Sequence, residues 1–276
     1  MSQELLKLTG VAAIISAITT LLALVVKEYF LAKWFDRWKR RQDLEMIYHR
    51  LRDPLFVSSV ELGNRLHEMM DDYGANFLRR DVLKLSAIRQ ERNSADDPYF
   101  LKYKLVSSVY RLCAFLGWLE LYRELLVFFD VASERKNRVL SEQVGHARAD
   151  LADGHLNTRK NWHLWHDTLL FREEQRAVGE AMLEGEGEDR RVIGYGRFCE
   201  LFAQPEDARG RWFHVALNFL IDPDRGSLDF QTIRVQRLAI HATDLADTLY
   251  PGRVSEWLAT RTRKVRTALI EAGWQV

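Results

Sequence analysis

Apolar and polar positions follow the 3.6-residue helical period over most of this chain, and one segment departs from it by having no polar face. From Leu8 to Val26, nineteen residues, LTGVAAIISAITTLLALVV, carry no charge. As a helix rising ~1.5 Å per residue they cover nearly the ~30 Å of a bilayer's hydrocarbon core, so the pattern predicts a membrane span. Charges bracket the run, Glu4 and Lys7 before it and Lys27 and Glu28 after it. Tyr29, Trp34, Phe35 and Trp38 follow as the amphipathic aromatics expected at headgroup level. A cleaved signal peptide and a buried core helix are the competing readings. Against the former stand a run longer than the usual ~7–15 apolar residues, a neutral leading segment and no small-x-small cleavage pattern.

The flanks set an orientation. Residues 27–42 hold Lys27, Lys33, Arg37, Lys39, Arg40 and Arg41 against Glu28 and Asp36, while the residues before the span balance. Positive charge stays inside, which places the C-terminal part on the cytoplasmic side of a single pass. Gly10, Ala13 and Ala17 form a small-residue face on which spanning helices pack closely, the pattern of self-association. The expected division is therefore an anchor with a basic collar, 1–42, and a cytoplasmic helical domain, 43–276.

Downstream, the spacing predicts a helix running out of the anchor and stopped at Asp53-Pro54, because the residue before proline avoids the α region. Further helices are expected at 55–78, 79–92, 99–131, 134–152, 161–183, 205–221, 228–249 and 253–272. Between 191 and 202 a brief extended piece should lead into a helix, and EGEGED at 184–189 reads as a surface loop. The 99–131 segment is apolar nearly all the way round and should lie centrally; Arg111 interrupts it, leaving too short an apolar run for a second span. No fixed repeat or low-complexity tract occurs. The fold class is all-α: an N-terminal transmembrane helix followed by a helical bundle.

Composition narrows the function classes. Lys and Arg number 40 against 39 Asp and Glu, and a balanced charge argues against a nucleic-acid partner. Hydrophobic residues at 47% supply a core. Two cysteines, Cys113 and Cys199, exclude a disulfide scaffold and a four-cysteine zinc site.

Few residues carry chemistry. His163 and His166 share a helix face beside Asp167, a partial metal-ligand set of the kind used by His-Asp phosphohydrolases, although two histidines do not make a site. Glu173, Arg176 and Glu180 have ion-pair ladder spacing. Gln175 falls in an apolar stripe with Phe171, Val178 and Met182, where a buried amide must find partners. Arg111 aligns with Phe115, Trp118 and Tyr122, and Glu120 with Arg123 on a neighbouring face. Arg111, Glu120, Arg123, Gln175, Arg176 and Glu180 thus form the candidate buried polar network. Gly194 and Gly196 make half of a glycine-rich loop, without the lysine or the βα unit of a nucleotide site. No catalytic constellation and no cofactor motif is present.

RDPLF from Arg52, ELGNRL from Glu61, YRL from Tyr110, LGWLELYR from Leu116, FREEQRAVGE from Phe171 and IGYGRF from Ile193 together resemble a family of uncharacterised bacterial membrane-anchored helical proteins. The resemblance covers residues 48–250. It implies one fold for the polar segments and the bacterial inner membrane as the membrane spanned, and brings no catalytic residue or substrate. The expected function is that of a single-pass anchored protein, its partners the lipid bilayer and a protein partner or further copies of itself, acting as an effector or sensor in bacterial stress or phage defence. The alternative is a membrane-tethered metal-dependent hydrolase using His163, His166 and Asp167.

Overall fold

The computed structural model describes residues 3–70, 75–85, 97–126, 135–152, 168–221, 230–274 and 276. Within these it leaves out the side chains of 3–15, of several positions in 37–49, and of 75, 126, 135–137, 188 and 230. The chain divides into two compact units, residues 1–49 and 50–276.

Among the described residues the fold is all-α apart from one small hairpin. Helices run as α1 (Gln3–Met70), α2 (Pro98–Leu126), α3 (Arg135–Ala152), α4 (Arg172–Ala181), α5 (Tyr195–Phe202), α6 (Gly210–Leu220), α7 (Phe230–Leu249) and α8 (Glu256–Glu271). Between α4 and α5, β1 (Leu183–Glu184) pairs antiparallel with β2 (Arg191–Val192), Leu183 opposite Val192. EGEGED is the connection, and Gly185 and Gly187 take its positive-φ positions.

In the second unit, α2 packs on α4 and α6, α3 on α7, and α7 on α8. Leu105, Val109, Leu112, Phe115, Leu116 and Leu119 bury one side of α2 after another, which is why its sequence shows no polar face. Glycines let the helices approach. A Cβ on Gly179 of α4 would lie 2.7 Å from Glu120 Cβ and 2.8 Å from the Leu116 carbonyl oxygen of α2. One on Gly117 would lie 2.8 Å from Met182 Cβ.

Several expected boundaries are corrected. α1 does not stop at Pro54 but continues to Met70. Leu51, Leu55, Leu62 and Leu66 are buried along the same stripe on both sides of the proline, and that burial outweighs its missing N–H. The helix expected at 79–92 is a 3-10 turn, Arg80–Lys84, over its described part; residues 86–92 lie outside the described residues. Of the helix expected at 161–183, residues 161–167 lie outside the described residues, and α4 begins at Arg172, where Glu174 Oε2 accepts from the Phe171 N–H at 2.9 Å and closes the N-terminus. The helix expected at 205–221 begins at Gly210, with Asp207 Oδ1 accepting from the Arg209 and Gly210 N–H groups.

The first unit is helical from Gln3. The side chains of the first half of the apolar run lie outside the described residues, and the part from Ser16 to Val26 alone covers about half a hydrocarbon core. Among the described residues, no helix is long and apolar enough to cross a membrane.

Candidate functional site

Three features of the structure have functional potential: a buried ionic core, an open aromatic cleft and an exposed apolar helix surface.

The ionic core joins α2, α3 and α4. Glu120 is fully buried in the apolar surface of α2. It pairs with Arg123 one turn on, and its Oε2 accepts from Arg148 Nη2 of α3 at 3.1 Å. The hydrogen bond to Glu120 raises the Arg123 pKa, while burial lowers that of Arg148 against the pull of Glu120. Gln175 of α4, also buried, donates to the Arg148 carbonyl at 3.0 Å and the Leu170 carbonyl at 2.9 Å. The Gln175 amide nitrogen thus bridges a carbonyl of α3 and one just before α4, and holds α4 in register against α3.

The candidate network is therefore divided. Glu120, Arg123 and Gln175 converge, with Arg176 and Glu180 acting on them only as nearby charges, on Arg148 and Arg123 respectively. Arg111 lies apart, its charge felt by Arg65 and Glu68 of α1. There Arg65 Nη1 pairs with Glu68 Oε2 at 3.0 Å and Lys104 Nζ with Glu68 Oε1 at 2.6 Å.

Sequence reasoning missed a second buried pair. Asp150 of α3 is fully buried, its carboxylate against His241 Nδ1 of α7 and 3.0 Å from Arg237 Nε. Arg234 donates to the Asp150 backbone carbonyl at 2.9 Å and to Thr168 Oγ1 at 3.1 Å. The His146 ring lies 5.2 Å from that of His241. The signal was present: Asp150 interrupts the stripe of Leu140, Val144, Ala147 and Leu151, as Gln175 interrupts its own. The Asp150 carboxylate is shared with arginine, the arrangement of a helix clamp. His163, His166 and Asp167 lie outside the described residues. Among the described residues, no group of His, Cys, Asp and Glu side chains could hold a metal ion.

The cleft, of about 500 Å³, opens between the start of α2, α5 and the start of α6. Tyr99 and Tyr103 stand one turn apart on α2 with rings nearly parallel, centroids 6.4 Å apart. Tyr195 of α5 receives the edges of Tyr103 and Tyr110. Phe202 and His214 stack at 4.6 Å with planes 4° apart. His214 Nε2 donates to the Phe202 carbonyl at 3.0 Å, since a carbonyl only accepts, so its neutral tautomer carries the proton there. Tyr195 and Cys199 share a hydrogen bond; burial raises the pKa of both, keeping phenol and thiol protonated.

The third feature lies in the first unit. Large apolar side chains are exposed from Ile18 to Trp38, including Leu21, Val25, Phe30, Trp34 and Phe35. Of the small-residue face, Ala17 is exposed, while the Gly10 and Ala13 positions have no described surroundings. Comparison with known protein families, curated proteins and solved structures finds no match to this chain.

Proposed function

We propose that the chain is a membrane-anchored helical protein that acts by associating with itself or with a protein partner, its charge-free run 8–26 serving as the span. The observation that carries this reading is the continuous exposure of apolar side chains from Ile18 to Trp38. An apolar surface of that extent calls for a bilayer or another protein to cover it. The charges interleaved with it fit a headgroup zone: Lys27, Lys33 and Lys39 are exposed, and the Lys33 ammonium sits 5.8 Å from the centre of the Tyr29 ring. Eight further uncharged residues, 8–15, bring the run to spanning length. The basic collar then puts residues 43–276 on the cytoplasmic side.

Fractionation tests this directly. The full chain should stay in the membrane pellet through an alkaline carbonate wash, and its C-terminus should resist protease in intact cells. A full chain released by carbonate overturns the anchor. Bulky substitutions Ala13→Leu and Ala17→Leu should reduce cross-linked oligomers in detergent, and unchanged oligomers reject self-association through that face.

A further inference from the structure

We propose that the cleft between α2, α5 and α6 is a binding site for a small organic anion with a planar aromatic body, the rings holding the body and Lys102 the charge. The site is independent of the membrane reading, since every lining residue belongs to the second unit.

Size comes first. A cavity of about 500 Å³ falls within the ~300–1,000 Å³ of sites that enclose small molecules. Shape comes next. Phe198 and His214 both stack on Phe202, and the Tyr99 and Tyr103 rings lie nearly parallel, so the cleft is lined by planar rings from α2, α5 and α6. Flat walls favour a flat guest, because offset stacking adds to burial what an alkyl chain cannot gain. The rings are also held: Tyr195 is pinned by the edges of Tyr103 and Tyr110 and by Cys199, so the walls are in place before a ligand arrives.

Charge selects among planar guests. The described lining contains no carboxylate, and one ammonium, Lys102. Its Nζ donates one hydrogen bond, to the Leu85 carbonyl at 2.9 Å. Among the described residues no acid pairs with it, which leaves two of its three N–H groups for a ligand. Aromatic walls alone would welcome a cation; an ammonium among them, with no acid partner among the described residues, repels one and favours a carboxylate or sulfonate.

Cys199 reports on occupancy without assuming any activity. The chain has two cysteines. Cys113 is fully buried and Cys199 lines the cleft, so in folded protein a maleimide should react at Cys199 alone, and Cys113 labelling marks unfolding. The full chain in detergent is alkylated in the presence of 2-naphthoate, 2-naphthylmethanol, 2-naphthylmethyl-trimethylammonium or dodecanoate, with mass spectrometry locating the adduct. Naphthoate should slow alkylation of Cys199 in a saturable manner, the neutral isostere should act about tenfold more weakly, and the cation should not protect. Lys102→Met should weaken protection by naphthoate about tenfold with Cys113 still unlabelled, and Lys102→Arg should retain it. Protection by the cation equal to that by naphthoate overturns the role of Lys102. Protection by dodecanoate and not naphthoate overturns the planar body. No protection by any probe overturns the site.

Discussion

His67 sits where α1, α7 and α8 meet, and its proton is fixed by its neighbours. Thr243 Oγ1 donates to the Ala239 carbonyl at 2.8 Å and Thr262 Oγ1 donates to Thr243 at 3.2 Å. The Thr262 proton is therefore committed, and His67 Nε2, 3.0 Å away, must donate to Thr262. Burial, helped by the charge of Arg261, lowers the His67 pKa to about 4. The unfolded chain takes up a proton near the ordinary value of 6.5, where the folded chain resists it. Stability from this group is thus full above 6.5 and is lost as pH falls from there toward 4, by up to ~3 kcal/mol. Denaturant midpoints measured across that window should fall for the natural chain, and His67→Gln should flatten the fall. Glu120 gives a second prediction at this scale. Glu120→Gln strands two guanidinium groups beside a buried position and should cost about 3 kcal/mol, and adding Arg148→Met should recover part of it in a double-mutant cycle. Gln175 and Glu120 were legible in the sequence as polar residues on apolar faces. Arg148 and Asp150 were equally visible by that test, but pairing across helices far apart in the chain is set by packing, which periodicity does not encode.

Most helices were legible because each buries a stripe, the one expected at 79–92 being a 3-10 turn over its described part, and helix ends were not, because they depend on single side-chain contacts. The periodicity 3.6 runs through Pro54 unbroken, and the leucines on either side decide the outcome against the local preference of proline. The start of α4 depends on one carboxylate, Glu174, and that of α6 on Asp207. The α2–α4 contact depends on the absence of side chains. A Cβ at Gly179 would meet the Leu116 carbonyl, part of a helix backbone that cannot step aside alone. Gly179→Ala should therefore destabilise by about 2 kcal/mol in chemical unfolding, whereas Gly145→Ala, which meets nothing within 4 Å, should be neutral or stabilising. The cleft escaped the sequence for a related reason: Tyr99, Tyr103, Tyr195 and Phe202 come from two helices with α3 and α4 between them in the chain, and nothing in either segment marks them as neighbours.

At the scale of the whole molecule, the two units differ in what holds them. Among the described residues no buried side chain precedes Leu51, and every buried leucine, valine and phenylalanine belongs to the second unit. Residues 50–276 expressed alone should therefore keep the helical circular-dichroism spectrum per residue, and unfold within about 2 °C of the full chain by thermal melt. A large drop would mean that the first unit contributes to the second unit's stability. The same division governs descent. In residues 51–276 each interior position is constrained by the volume and chemistry of its neighbours, so selection acts on identity, most strictly at Gly117, Gly179 and Glu120. Between 16 and 38 the described side chains are exposed, so selection acts more on the apolar character of the run and the charge of the collar than on identity. Lineages carrying this protein should keep the second unit recognisable residue by residue, while the first keeps an apolar run, small residues on one face and a basic collar with far looser identity.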